Sequence, residues 1–243
     1  MNMRKNDVKV CLTTELFNSY NNLNTTVVVV DLLRATSVIS TAFHYGIESI
    51  IPVMSLEEAL SYKNKPNHII AAERNTLLID GFDFGNSPFH YIDKNLKGKT
   101  LALTTTNGTK AIHMAKTNKL ITASFVNIDA VVDFLVKDSK DVIILCSGWK
   151  GLYNLEDTIF AGALSKKLIS SKFFSSNCDS LTSSIQLYLS GKDNLYKYLE
   201  NSSYRRRNST KEVLKDTKFC LNPTIKSDAV PIFTEGKLTK AIF

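Results

Sequence analysis

Two polar clusters in this chain carry residue types that can bind an anion. The first, Thr104 to Thr109, reads Thr-Thr-Thr-Asn-Gly-Thr and stands between the strand-like run Thr100–Leu103 and the helix-like segment Lys110–Lys116. Hydroxyls, an amide and a glycine at that place supply hydrogen-bond donors and a backbone that can fold tightly around an anion. The second cluster, Gly81 to Pro88, adds further donors. We therefore predict a pocket for a phosphorylated or otherwise strongly anionic ligand.

Charged and small polar residues follow three other strand-like runs. Asp31 comes directly after four consecutive valines, and Arg34 lies about one helical turn further on. A second apolar run ends at Glu73–Arg74, and a third ends at Cys146–Gly148 with Glu156–Asp157 shortly afterwards. The carboxyl ends of parallel strands share one edge of a sheet, where ligands bind. We therefore expect these residues to converge at that edge.

Asp31 and Arg34 each have a structural and a functional interpretation. An aspartate before a helix is commonly an N-cap, whereas a functional Asp31 is a Mg²⁺ ligand or a nucleophile. Arg34 begins the predicted helix 34–45, and the helix dipole favours anions rather than cations at that end. This placement favours a contact between Arg34 and a bound anion.

Three further clusters also allow a purely structural interpretation. Glu73–Arg74 is compatible with an ion pair at a strand end. Glu156–Asp157 matches the acidic pattern that complements a helix dipole. Asn86–Pro88 is typical of a helix cap followed by proline in the first turn. The cluster Thr104–Thr109 is harder to explain structurally, because Asn-Gly supplies a tight turn into a helix N-terminus, and we predict anion binding there.

Several common site types are absent from the sequence. There is no G-x-x-x-x-G-K-[ST] loop, no G-x-G-x-x-G motif and no C-x-x-C pair. The sequence therefore gives no indication of a Walker loop, a dinucleotide-binding site or a zinc site. The four histidines are isolated, and we propose no histidine-based mechanism. Carboxylates surrounded by hydroxyls and amides suit a hard cation, so we predict Mg²⁺ as the cofactor.

Length and composition indicate an ordinary globular protein. The chain has 243 residues, is 44% hydrophobic and carries a formal charge of +7. No apolar run approaches the roughly 20 residues that span a bilayer, and no signal-peptide stretch is visible at the N-terminus, so we expect a cytoplasmic protein without membrane contacts. The run Arg205–Arg207 allows three interpretations: a solvated helix face, a substrate-anion contact by one arginine, or nucleic-acid binding, which we disfavour as a partner class.

The apolar pattern alternates strands with helices over the first two-thirds of the chain. It predicts strands at 25–30, 49–53, 68–72, 100–104, 119–123 and 141–146, and helices at 34–45, after Ser55, and at 128–136. Beyond Leu155 it predicts about 60 mostly helical residues, closed by short strands at 218–221 and 230–234. This predicts an α/β fold, layered α/β/α, with a mainly parallel or mixed sheet and a more helical C-terminal third. We expect one α/β unit over 1–243, or two closely packed subdomains over about 1–150 and 151–243.

These motifs, taken together, resemble the 2-phosphosulfolactate phosphatase family. The resemblance rests on Asp31–Thr36, Glu73–Arg74, Gly81–Pro88, Thr104–Thr109 and the stretch from Cys146 to Asp157, in order and in register over roughly residues 8 to 235. It implies an α/β enzyme that removes phosphate from (2R)-2-phospho-3-sulfolactate with Mg²⁺, in coenzyme M biosynthesis. The chain departs from the family pattern near residues 71–75, where two alanines precede Glu73.

Our site hypothesis assigns two sets of residues. The predicted catalytic residues are Asp31, Arg34, Glu73, Glu156 and Asp157, of which the four carboxylates are also the predicted Mg²⁺ ligands. The predicted substrate- or phosphate-binding residues are Arg74, Asn86, Ser87, Thr104, Thr105, Thr106, Asn107, Gly108, Thr109, Ser147 and Gly148. The expected partner is a small anionic phosphoester. Two alternatives stay open, a Mg²⁺ phosphatase of another small dianionic ester and a non-enzymatic module for anions or nucleic acid, and so does a homodimer.

Overall fold

The computed structural model describes residues 5–20, 22–74 and 77–243, and the side chains of Arg74 and Leu77 lie outside the described part. The strands are β1 (Asn6–Cys11), β2 (Thr26–Val30), β3 (Ser49–Pro52), β4 (His68–Arg74), β5 (Leu77–Leu78), β6 (Thr100–Thr104), β7 (Lys119–Thr122), β8 (Val142–Cys146), β9 (Phe174–Ser175), β10 (Pro231–Thr234) and β11 (Lys237–Lys240). The α-helices are α1 (Phe17–Tyr20), α2 (Ala35–His44), α3 (Leu56–Leu60), α4 (Gly108–Ala115), α5 (Ile128–Asp138), α6 (Leu155–Ser170), α7 (Asp179–Gly191), α8 (Leu195–Tyr198), α9 (Ser203–Arg207) and α10 (Lys211–Leu221).

Helices cover both faces of the central strands. All five residues of β2 are buried, and their side chains alternate between two hydrophobic cores. Val28 and Val30 belong to the core that contains α5 and α6, while Val27 and Val29 belong to the core that contains α2 and α4. A strand buried on both faces needs no polar alternation, which explains the run of four valines. The predicted layered α/β/α fold is confirmed.

The sheet is mixed, with an antiparallel hairpin at its centre. In the described part of the chain its strand order is β5-β4-β6-β3-β11-β10-β7-β2-β8-β1-β9. One parallel block consists of β4, β6 and β3, and the other contains β7, β2, β8, β1 and β9. The hairpin β10–β11 joins the two blocks through antiparallel pairs on both sides.

This topology has a consequence for the strand ends. Three successive antiparallel pairings separate β3 from β7, so in a flat sheet the two blocks would run in opposite directions. Right-handed twist accumulates at about 20 to 25° per strand pair, hence on the order of 100° over the five steps from β6 to β2. A twist of that size would turn the two blocks across each other, and residues of both blocks pack in one hydrophobic core.

Side-chain caps explain where several helices begin. Ser55 accepts a hydrogen bond from the Glu58 N–H at the start of α3, where a helix was predicted, and Thr210 accepts one from the Val213 N–H at the start of α10. The predicted strand at 218–221 is wrong, because these residues form the last turn of α10. The short apolar run after Lys218 has the pattern of a strand. The segment is nevertheless helical, because Thr210 caps the start of α10 and one face of this helix is buried. The strand β11 was not predicted.

Within the described residues, no helix is both long and apolar enough to cross a membrane.

Candidate active site

A cavity of about 350 Å³ lies where the carboxyl ends of β2, β4, β6 and β8 meet. Most of the residues predicted for the site line it. They are Asp31, Arg34, Glu73, Asn86, Thr105, Thr106, Asn107, Gly148 and Glu156. A larger groove of about 840 Å³ between α7, α8 and α10 contains none of the predicted site residues. The smaller cavity is therefore the candidate active site.

Asp31 lies at the turn from β2 into α2 and is almost entirely buried. Its Oδ1 accepts a hydrogen bond of 3.4 Å from the Ala35 N–H, so it does contact the start of the helix. Its Oδ2 lies beside Gly108, where an added Cβ would approach it to 2.9 Å and would approach the Ala35 side chain to 2.7 Å. A glycine at the first position of α4 thus leaves the room that this carboxylate occupies.

Arg34 and Glu73 form a buried charge network with a residue from the far end of the chain. The Arg34 guanidinium is paired with Asp216 of α10 and lies 4.0 Å from Glu73 Oε2. The second oxygen of Asp216 accepts a hydrogen bond of 2.7 Å from the Ser87 hydroxyl. Glu73 Oε1 in turn accepts one of 3.0 Å from Thr106. The network fixes Arg34 at the cavity wall, and the carboxylates of Asp216 and Glu73 compensate its positive charge.

Asp157 accepts four hydrogen bonds from the surrounding turns. Its Oδ1 accepts from the Leu32 N–H, and its Oδ2 accepts from the Ser147 hydroxyl, the Gly148 N–H and the Asn154 amide. Three of these hydrogen bonds meet at Oδ2, and one is made by Oδ1. Asp157 therefore joins the turn after β2 to the turn after β8. It does not line the cavity, and neither does Ser147, which is bound to it.

Glu156 is buried and lies in the first turn of α6. Its Oε2 has no hydrogen-bond partner among the described residues. Burial, followed by the negative charge of Asp157, raises the pKa of Glu156 to about 8. Burial likewise raises the pKa of Asp157 to about 6 and raises that of Asp31 well above its ordinary value, with neighbouring carboxylates adding to the effect at Asp31. Without a bound cation, the buried carboxyls in and beside the cavity therefore keep their protons to a higher pH than solvent-exposed carboxyls do.

The threonine cluster divides into a structural part and an exposed part. Thr109 accepts from the Thr105 N–H at 3.4 Å, donates its hydroxyl to the Thr105 carbonyl at 2.8 Å, and its own N–H is capped by the Thr105 hydroxyl. These bonds hold the turn into α4, and Thr109 does not reach the cavity. Thr106 and Asn107 do, and Asn107 Oδ1 also accepts from the Lys150 N–H. Thr104 and Gly108 are buried and do not line the cavity.

Asn86 and Ser87 occupy different positions although they are adjacent. Asn86 lines the cavity, and its buried Oδ1 has no hydrogen-bond partner in the described structure. Ser87 caps the short 3₁₀ helix Pro88–His90 by accepting from the Phe89 N–H, and it holds Asp216. Capping therefore explains Ser87, while Asn86 is left with an oxygen available to a ligand. The side chain of Arg74 and residues 75–76, where the chain departs from the family pattern, lie outside the described residues.

The donors at this cavity fit a hard divalent cation. Within the ranges that the structure describes, no three His, Cys, Asp or Glu side chains are grouped closely enough to hold a metal ion by themselves. Mg²⁺ commonly takes only one or two carboxylates and completes its shell with water and substrate phosphate. Asp31 and Glu156 match that requirement, since both are buried cavity-lining acids and Glu156 has an unpartnered oxygen.

Several residues that sequence reasoning did not assign also line the cavity. They are Leu33, Trp149, Lys150, Asn154, Tyr204 and Asn208, together with Arg207 from the arginine triplet. Trp149 and Lys150 directly follow Gly148, which was predicted for the site, so their position after β8 was a signal that they line the cavity. Tyr204 and Asn208 gave no such signal, because nothing near them in sequence marks a strand end.

Comparison with known proteins places this chain in a family. The model of the 2-phosphosulpholactate phosphatase family matches residues 11–236. A protein of Caldanaerobacter subterraneus, named probable 2-phosphosulfolactate phosphatase, is 38% identical over 231 residues, which is 92% of this chain and 95% of the relative. Proteins of the same name from Thermotoga petrophila and Clostridium novyi are 39% and 34% identical, covering 87% and 89% of this chain and 90% and 92% of their own lengths.

Proposed function

The chain belongs to the 2-phosphosulfolactate phosphatase family, and on that premise we propose that it hydrolyses 2-phospho-3-sulfolactate to 3-sulfolactate and phosphate. One observation carries this proposal: Asp31, Glu73, Glu156, Arg34 and the Thr106–Asn107 donors surround a single cavity of about 350 Å³. Hydrolysis of a phosphate ester requires charge neutralisation at the phosphoryl oxygens, a positioned nucleophile and a stabilised leaving oxygen. The cavity offers groups for each of these tasks.

We further propose that the reaction depends on Mg²⁺. Asp31 and Glu156 would hold the ion, with Glu73 as a neighbouring carboxylate. When bound, Mg²⁺ supplies positive charge to the phosphoryl oxygens. The four hydrogen bonds of Asp157, and its absence from the cavity lining, favour a positioning role for it instead of a ligand role.

Arg34 is the protein's own cation for the phosphoryl group. Its guanidinium lines the cavity and is buried, so a phosphoryl oxygen beside it interacts in a poorly screened environment. The ion pair with Asp216 holds the guanidinium in place, and Glu73 lies 4.0 Å from it. Thr106 and Asn107 add neutral polar groups at the same wall.

Asp31 lines the cavity at the turn from β2 into α2 and adjoins Gly108 at the start of α4, which makes it our candidate for the group at phosphorus. In one route its carboxylate attacks phosphorus, the alkoxide of sulfolactate leaves with a proton from solvent, and water then cleaves the aspartyl phosphate. In the other, Asp31 accepts a proton from the water that attacks directly. Rapid quenching with ³²P-labelled substrate separates the routes, since a phosphoenzyme that persists in Asp31→Asn eliminates Asp31 as the nucleophile.

The deciding experiment measures phosphate release from 2-phospho-3-sulfolactate and from a panel of phosphorylated hydroxy acids. We expect the highest kcat/KM for the sulfolactate ester, loss of turnover with a chelator and recovery on adding Mg²⁺. An Asp31→Asn variant should lose activity by a factor of about 10³ or more, while the exposed Glu200→Gln should keep it. No preference for the sulfolactate ester would exclude the proposed substrate, and unchanged turnover with chelator would exclude the metal. The place of the product in coenzyme M biosynthesis is part of the same proposal.

A further inference from the structure

Two cations share one aromatic ring at the cavity wall. The Arg207 guanidinium carbon lies 3.8 Å from the centroid of the Trp149 ring, and the Lys150 Nζ lies 4.8 Å from it. Both distances fall within the range of cation–π attraction. Arg207 comes from α9, while Trp149 and Lys150 come from the turn after β8, so the indole gathers charges from two distant parts of the chain.

The turn that carries Trp149 is rigid. Trp149 and Leu152 exchange two backbone hydrogen bonds of 2.9 and 3.0 Å, and the Lys150 N–H donates to Asn107 Oδ1. Gly148 has a φ of +64°, and a Cβ there would meet the Leu152 carbonyl oxygen at 2.4 Å, so only glycine fits. The aromatic platform is therefore held in place before any ligand arrives.

Helix α9 directs only one of its three arginines to this cavity. Arg205 stacks on Tyr196 and donates to its carbonyl, and Arg206 donates to the Asn201 carbonyl. Arg207 lies three positions after Tyr204, hence on the same helix face, and both line the cavity. The Tyr204 hydroxyl is buried and has no hydrogen-bond partner among the described residues. This face of α9 thus offers the cavity both a cation and an unused hydroxyl.

Neither cation on the platform is neutralised by an ion pair. Among the described residues, no carboxylate lies within ion-pair distance of Arg207 or Lys150. Glu156 is near enough for the charge of Arg207 to oppose the rise of its pKa, but it does not pair with it. Both cations line the same cavity, so an anion that enters it meets two positive charges that no described carboxylate pairs.

We propose that Arg207 and Lys150 on the Trp149 ring form a subsite for the sulfonate of the substrate, and that Arg207 determines the preference for a sulfonated ester. This inference rests on the proposed function. A sulfonate carries one charge over three oxygens, so it can receive a guanidinium and an ammonium at once while a third oxygen faces solvent or the Asn208 amide. The reacting phosphoryl group is assigned to Arg34, which lines the same cavity.

The test compares three phosphoesters: 2-phospho-3-sulfolactate, 2-phospholactate, which lacks the sulfonate, and phosphorylated isethionate, which lacks the carboxylate. For Arg207→Ala we expect kcat/KM to fall about tenfold to hundredfold on both sulfonated esters, mainly through KM, because a charge-assisted contact is lost. The fall on 2-phospholactate should be at least ten times smaller. Arg207→Lys should recover part of the loss, and the matched charge change Arg206→Ala should alter none of the three.

An equal loss on all three esters, or no loss on any, overturns the subsite. A loss that follows the carboxylate instead of the sulfonate also overturns it, because the subsite then holds a different anion. Failure of the proposed function looks different: the unaltered protein would then hydrolyse none of the esters. In that case calorimetric titration with 3-sulfolactate and with lactate still tests the subsite, which requires tighter sulfolactate binding that Arg207→Ala removes.

Discussion

Replacing Glu156 by glutamine should stabilise the metal-free protein at alkaline pH while removing its activity. Burial raises the pKa of Glu156 to about 8 from its ordinary value of 4.5. Each pH unit between those values corresponds to 1.36 kcal/mol, so at pH 8 and above the buried carboxyl destabilises the fold by at most about 5 kcal/mol. Glutamine has nearly the same shape and no charge. Since relaxation and water entry reduce the effect, we expect a gain of about 2 kcal/mol.

The sign of the pH dependence follows from the raised pKa. Below pH 4.5 the carboxyl is protonated in the folded and unfolded states alike, and it contributes no penalty. As the pH rises from 4.5 to 8, the unfolded chain ionises freely and the folded one resists, so the wild type loses stability relative to the glutamine variant. The variant's advantage should be below about 1 kcal/mol at pH 5 and largest at pH 8 and above.

Thermal unfolding in the presence of a chelator measures this difference directly. For a chain of this size 1 kcal/mol shifts Tm by about 2 to 4 °C, so Glu156→Gln should raise Tm by about 4 to 8 °C at pH 8. The exposed control Glu200→Gln should change Tm by no more than about 1 °C at either pH. Phosphate release by Glu156→Gln should fall at least about a hundredfold. A gain that is equal at pH 5 and pH 8, or a loss at pH 8, would refute the argument from burial.

Three further substitutions test the supporting contacts. Asp216→Asn removes the nearer of the two carboxylates that face buried Arg34, so unfolding should become easier by about 3 kcal/mol and kcat/KM should fall at least tenfold; unchanged values of both would contradict the network. Gly108→Ala places a methyl group 2.9 Å from Asp31 Oδ2, and we expect a loss of about 1 to 3 kcal/mol in denaturant titration together with a lower kcat. Asp157→Asn turns an amide toward N–H donors and should cost about 2 kcal/mol or more; an unaltered denaturation midpoint would show that these hydrogen bonds do not hold the two turns together.

The local patterns were sufficient for most elements of the fold. The valine run of β2, the cap at Ser55 and the amphipathic stretch of α5 each reflect interactions within about ten residues of the chain. Such patterns report which side chains a strand or helix must bury, so they predict the element wherever tertiary contacts agree with them. They failed at 218–221, because four residues are too few to distinguish the 3.6-residue period of a helix from the two-residue period of a strand.

The same patterns indicated residues of the candidate site, because polar residues that follow an apolar strand can be recognised in the sequence. Asp31, Glu73, Asn107 and Glu156 were assigned on that basis, and the cavity contains all four. Ser147 and Asp157 were assigned on the same basis, yet their side chains bind each other beneath the wall. Sequence position alone does not tell which of two adjacent side chains points into a cavity.

Residue types and short spacings were enough to predict the α/β alternation, the family and the polar residues that follow each buried strand. The meeting of the strand ends, in contrast, depends on how the whole sheet is assembled. The central hairpin β10–β11 interrupts the parallel order, and accumulated twist must turn one block toward the other. The tertiary structure also brought Asp216 to Arg34 and Arg207 to Trp149. Contacts between residues so far apart in the chain arise from the packing of the whole molecule, which no local pattern encodes.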